Sequence, residues 1–218
     1  MVIRERFDND LKLLQQDILR MGSLVERAIA RAVEALADRD VQKAQQVIFG
    51  DDTIDNLEVQ VETDCMRLIA TQQPMAKDLR RIGAGFKIIA DLERMGDHAS
   101  DIAKITLRLA DQPLVKPLID IPRMAKLTQQ MVKDSLDAYV NEDVNLAYTL
   151  ADMDDQVDRL HKMVFDELAA LMEKHPEKIR GGIHLLFVSR HLERIADHST
   201  NIGERVIYLA TGEIQELN

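Results

Sequence analysis

The sequence predicts an all-α protein made of two tandem three-helix bundles related by internal duplication. Three observations carry that expectation. Apolar residues recur at three- and four-residue spacings along nearly the whole chain. The five prolines fall at only three places, Pro74, the cluster Pro113, Pro117 and Pro122, and Pro176. No run of alternating β-branched residues bounded by turn pairs reads as a strand.

The first helix, 4–38, carries Ile18, Met21, Val25, Ile29, Val33 and Leu36 on one face. The second, 41–71, carries Val47, Ile54, Leu57, Val61 and Leu68 and stops short of Pro74, because proline removes a backbone donor and restricts the residue before it. The third, 75–110, holds Gly83-Ala84-Gly85 in its interior, read as a place of close helix contact. The three prolines between Asp111 and Pro122 then form the joint between halves, 1–112 and 113–218. Helices over 118–140, 143–174 and 178–210 complete the second half, with His175-Pro176 at its hairpin tip. Helices of this length joined by short turns must lie antiparallel in bundles.

The halves are copies. Asp40 to Leu57 aligns without a gap on Asp143 to Leu160, and seven of the eighteen pairs are identical. Leu92-Glu93-Arg94-Met95-Gly96-Asp97-His98 then matches Leu192-Glu193-Arg194-Ile195-Ala196-Asp197-His198, and Ile102 matches Ile202. Two matches in the same order mark a duplicated unit.

Composition narrows the function. The 218 residues carry 38 Asp and Glu against 28 Lys and Arg, a formal charge of −10 that argues against binding a phosphate backbone. Aromatic residues are 4% with no Trp, so aliphatic residues, Met and Ala must fill the core. The lone Cys65 excludes a disulfide framework or thiolate cluster and reads as a small buried apolar residue. Neither a signal peptide nor a membrane span is visible, so the expected location is cytoplasmic.

Chemistry concentrates in four carboxylate pairs of the form acid-x-x-x-Asp: Asp51/Asp55, Glu93/Asp97, Asp154/Asp158 and Glu193/Asp197. Like charges four apart on a helix repel unless a cation or basic group offsets them. The pair centres in each repeat are equidistant from its hairpin tip at Pro74 or His175-Pro176, so folding brings the two pairs side by side. Four carboxylates per repeat form a hard-oxygen set suited to Mg²⁺, Mn²⁺, Fe or Ca²⁺ rather than Zn²⁺. Asp101 could add a ligand one turn beyond Asp97, whereas its counterpart is Asn201, so the two sites need not be equivalent. The acids lie at or outside the edge of the apolar arc and are expected to be accessible. The plainer reading is a solvated acidic face.

His98 and His198 point about 100° away from the preceding Asp and are read as packing or hydrogen-bonding against a neighbouring helix. His161, three residues after Asp158, is a better ligand candidate, and Arg94 and Arg194 are read as ion-pair partners of the acids. No phosphate loop, nucleophile elbow or dinucleotide fingerprint is present. Gly181-Gly182 near a helix start is a weak anion-site signal. No Glu-x-x-His occurs, which argues against a ferritin-like di-iron centre. A metal-dependent phosphate-ester enzyme and a histidine phosphotransfer bundle stand as alternatives to a non-enzymatic binding protein.

The stretch from Arg67 to Arg80 (RLIATQQPMAKDLR), followed by the two Leu-Glu-Arg-x-x-Asp-His segments, resembles the PhoU family of phosphate-signalling proteins over essentially the whole chain. That resemblance implies a cytoplasmic negative regulator of phosphate uptake and the phosphate-starvation response. It implies an adaptor, not an enzyme, acting between the ATPase subunit of a phosphate ABC transporter and a sensor histidine kinase. It further implies two three-helix bundles, a homodimer, and in some members multinuclear metal clusters on paired E(D)xxxD motifs, which the four acid pairs match.

Overall fold

The computed structural model describes residues 2–217, with side chains from residue 5 onward. Among them are six α-helices and no strand: α1 (Val2–Asp38), α2 (Val41–Gln72), α3 (Ala76–Leu109), α4 (Asp120–Asn141), α5 (Val144–Lys174) and α6 (Ile179–Thr211). A short 3-10 turn, Pro176–Lys178, leads into α6. Every predicted helix is present, with ends displaced by at most two residues. The N-terminal three and the C-terminal three each pack as a bundle, as the duplication requires.

The two bundles share their connecting turns in atomic detail. At the end of α1, Arg39 takes a left-handed φ of 54°, and the Arg39 and Asp40 N–H groups donate back to Leu36 and Ala35 carbonyls. At the end of α4, Glu142 has φ 50° and the same two bonds run from Glu142 and Asp143 to Tyr139 and Ala138. Each is a Schellman closure with a non-glycine residue in the left-handed position. Asp40 and Asp143 then cap the next helix, accepting from Lys43 N at 2.9 Å and from Asn145 and Leu146 N at 3.0 and 3.1 Å.

The helices α3 and α6 each contact the other two helices of their own bundle and pack against one another; α1 also meets α4. Residues 91 and 98 of α3 face 198 and 191 of α6, so the two run antiparallel at this seam. The apolar core is continuous from Ile18 and Met21 on α1, through Ile88, Leu92 and Met95 on α3, to Leu192 and Ile195 on α6. The outer helices α2 and α5 touch only their own repeat, which leaves one face of each exposed. Gly22 lets α1 approach α4, because a Cβ there would overlap Leu136. Gly181 and Gly182 are likewise packing positions, occupied from above by Val115 and Met172. Gly85 lies against Ile18 and Tyr139 as a contact glycine should, whereas Gly83 faces open space.

Candidate metal centres and the seam between repeats

The hairpin geometry brings the acid pairs of each repeat together. In the first repeat α2 passes so close to α3 that a Cβ on Gly96 would sit 3.2 Å from Asp51 Oδ1 and 3.0 Å from Ile54 Cδ1. The packing therefore presses Asp51 against α3 at the level of Asp97. Burial pushes the Asp51 carboxyl up to about 6, with Asp55 and Asp97 adding to the rise and the nearby Ser100 hydroxyl and Lys104 opposing it. Burial also raises Asp55, helped by Asp97, and Glu93, helped by Asp97 and Asp55. These groups sit in one another's field, and the ionised state is costly for several at once.

Glu58 belongs to the same cluster. Burial raises its carboxyl, and Glu62 and Asp55 raise it further. Its position one turn beyond Asp55 was the signal that could have found it. Its counterpart in the second repeat is His161, whose Nδ1 lies 3.0 Å from Ser189 Oγ and whose basicity is lowered by burial and Arg190, against the pull of Asp158.

Accessibility departs from expectation in the second cluster. Asp154 is only 5% exposed and Glu193 9%, because the first acid of each pair lies nearer the helix seam and the second is the more exposed of the two. Asp55 and Asp158 are exposed, while Asp51, Glu93, Asp97 and Asp197 are intermediate. Burial raises Glu193, and Asp197 adds to the rise while Arg190 and Arg194 oppose it. One Glu193 oxygen pairs with Arg190; the other, Oε2, is buried with no hydrogen-bond partner and has Arg194 Nε at 3.9 Å. Arg94 and Arg194 are ion-pair partners of their acids, at 3.6 Å from Asp97 and 3.1 Å from Asp197. Among the described residues no three of these carboxylates converge within 4.8 Å; the donors are spread along each seam.

The remaining two candidates are drawn to the interface of α3 and α6. Asn201 donates its amide to Asp91 Oδ1 at 3.0 Å, and His198 Nδ1 meets the same oxygen at 2.9 Å. Asp101 pairs with Lys104 at 2.8 Å and converges with His98 and His191. The two imidazoles touch through their Nδ1 atoms, 3.2 Å apart. Burial drives His98 down to about 4, helped by His191 and His198, and also lowers His191. His98 and His198 thus do bond across to a neighbouring helix, while His191 and Asp91 were not legible as partners from sequence spacing.

A cavity of about 190 Å³ opens beside Asp101 and His191, lined also by Lys104, Ile105, Arg108 and Phe187. A larger one of about 520 Å³ lies away from both clusters, where Arg81 is bound to Glu142 at 2.7 Å. No described helix is long and apolar enough to cross a membrane.

Comparison with known proteins agrees with the duplication. The family model described as the PhoU domain matches twice, at residues 18–106 and 121–206. A phosphate-specific transport system accessory protein PhoU homolog of Clostridium acetobutylicum is 43% identical over 216 residues, 99% of each chain. Its namesake in Aquifex aeolicus is 44% identical over 205 residues, covering 94% of this chain and 93% of that one. The crystal structure of PhoU from Pseudomonas aeruginosa superposes with a TM-score of 0.91 at 38% identity, over 95% of this chain and all of that one. The phosphate transport system regulatory protein PhoU from Streptococcus pneumoniae gives 0.89 at 34% identity, over 96% and 99%. Two domain matches, relatives above 40% identity along nearly the full chain, and a shared six-helix fold lead to one conclusion: this chain belongs to the PhoU family.

Proposed function

We propose that the protein is a non-enzymatic accessory and negative regulator of a phosphate-specific transport system, and that it binds cations at its two carboxylate clusters. The accessory role rests on family membership and on the names its relatives carry. The single structural observation behind the cation reading is the crowding of part-buried acids at both seams. Asp51, Asp55, Glu58 and Glu93 are all raised in the first cluster, and in the second the buried Glu193 Oε2 lacks a hydrogen-bond partner.

In chemistry the donors present suit a hard cation, and holding one would draw the spread carboxylates of each seam together. In the first repeat Asp51, Asp55, Glu93 and Asp97 would hold it; in the second Asp154, Asp158, Glu193 and Asp197 would. Such an ion supplies positive charge that cancels carboxylate repulsion. The chain's own part is to hold α2 against α3, and α5 against α6, so that the acids of each pair stay level. Carboxylate oxygens as donors favour Mg²⁺, Mn²⁺ or Fe over Zn²⁺. The clusters differ: the second has His161 in place of Glu58, and Arg190 where the first repeat has Ala90. The second cluster therefore starts with less negative charge and should load more weakly.

In this reading the protein acts by docking, as a cytoplasmic homodimer placed between the transporter's ATPase subunit and a sensor histidine kinase. With the carboxylate repulsion cancelled, α2 and α3, and α5 and α6, would be held together more firmly, and the stiffened bundles would present the docking faces. Elemental analysis of protein purified without chelator should find metal. The double variants Asp51→Asn/Asp55→Asn and Glu93→Gln/Asp97→Asn should lose part of it, together with the thermal stabilisation that distinguishes loaded from chelator-treated protein. Metal-free wild type with no gain in Tm on adding Mn²⁺, Mg²⁺ or Fe²⁺ defeats the cation reading. Failure to co-purify with either the ATPase subunit or the kinase defeats the adaptor reading.

A further inference from the structure

The antiparallel seam of α3 and α6 carries a pair of polar sites related by the duplication, and their chemistry differs. Advancing each residue number by 100 takes His98 to His198, Asp101 to Asn201 and Asp91 to His191. One site is therefore His98, Asp101 and His191, and its mate is His198, Asn201 and Asp91. The mate is closed: Asp91 Oδ1 faces both His198 Nδ1 and the Asn201 amide, at 2.9 and 3.0 Å. Its polar groups satisfy one another, and an amide has replaced the carboxylate.

The first site is different in kind. It holds two imidazoles and one carboxylate whose ligating atoms all lie within 4.8 Å of one another. It is the only such group of three among the described residues. The His98 and His191 Nδ1 atoms are 3.2 Å apart. Two nitrogens bound to one ion at about 2.0–2.1 Å stand about 2.8–3.0 Å from each other in octahedral and about 3.3–3.4 Å in tetrahedral coordination, and the observed spacing falls between the two. Without an ion, a single proton can serve only one of these two nitrogens as donor. The three groups are half-buried, and Asp101 and His191 border the cavity lined also by Lys104, Arg108 and Phe187, which leaves a side open for a further ligand such as water. Lys104 competes for the carboxylate through its 2.8 Å contact with Asp101 Oδ1.

We propose that His98, Asp101 and His191 form a site for a borderline transition metal, zinc foremost, distinct from the hard-oxygen clusters and bridging the two repeats. Imidazole ligation selects such ions over Mg²⁺ or Ca²⁺. Three protein ligands with one side open is the arrangement of a non-structural zinc site. Two ligands come from α3 and one from α6, so the ion would pin one repeat to the other at the centre of the fold.

The test titrates the chelator-treated full chain with ZnCl₂ under excess Mg²⁺, which occupies hard-oxygen sites without competing for imidazole. A chromophoric chelator reports free zinc. His98→Gln and His191→Gln should each weaken one zinc equivalent by about a hundredfold or more. Asp158→Asn and Asp55→Asn should leave that equivalent unchanged. Zinc uptake identical in wild type and both histidine variants overturns the proposal. A map of anomalous scattering at the zinc edge, from wild-type crystals soaked in zinc, decides the matter without any variant. Density between the two Nδ1 atoms supports the site; zinc at the carboxylate clusters alone, or nowhere, overturns it. The histidine variants share no residue with the carboxylate variants, so either reading can fail while the other stands.

Discussion

Asp51 shows how a single side chain can hold a penalty in reserve. Its folded-state pKa of about 6 lies above that of an unfolded aspartate, so the folded protein binds this proton more tightly. In metal-free protein the resulting penalty is absent below the unfolded value near 4, grows between about 4 and 6, and is full above. Asp51→Asn should therefore raise the Tm of chelator-treated protein at pH 7.5, and that advantage should shrink as pH falls to 5. Differential scanning calorimetry across this range checks it; an advantage constant with pH would mean that the Asp51 charge is not what costs stability. The comparison must be between variants. His98 and His191 are lowered, His98 to about 4, so their contribution falls as pH drops through the same window and masks the carboxylates in wild type alone.

At the scale of elements, the same local rule is applied twice. Asp40 and Asp143 each follow the end of one helix and cap the start of the next, accepting from its first-turn N–H groups. Asp40→Ala and Asp143→Ala should each destabilise the protein by about 1 kcal/mol, measured by urea unfolding. Their effects should add within error, because the two caps belong to different repeats. The turns were legible in the sequence: Asp at 40 and 143 recurs at the duplication offset, and Pro74 and Pro176 mark the other two hairpin tips. The helix ends followed within two residues because caps and prolines act locally. Glu142 was not legible as anything but a turn residue. In the fold, burial pushes its carboxyl up, but Arg81 and Lys77 on α3 more than offset this and hold it below the usual range. That pairing joins the end of α4 to the other repeat, and no local pattern announces it.

At the scale of the whole molecule, the repeats are duplicated in sequence but not independent in space. The packing of α3 on α6 and of α1 on α4 makes the core continuous, and ties such as Arg81–Glu142 cross from one repeat to the other. The chain should therefore unfold in one cooperative transition. Cys65 offers a second probe: it is fully buried on α2, and burial pushes its thiol up to about 12. Thiol labelling should follow the far-UV ellipticity along a urea curve, with the same midpoint. A thiol exposed well before the helices melt would show that the first repeat opens alone.

The sequence by itself determined the helices, their order, the duplication and the four acid pairs at matched levels. Helical periodicity, capping and proline all act within a few residues, and an antiparallel hairpin converts spacing into level. Tertiary structure decided which acids are buried, because only packing tells the seam-facing Asp154 and Glu193 from the outward Asp55 and Asp158. It also decided that Asp101 meets His98 and His191 while Asn201 closes on Asp91. Those contacts join residues some ninety to one hundred and ten apart through the crossing of α3 over α6. A helix's own spacing says which residues share a face; only the second helix says what that face meets.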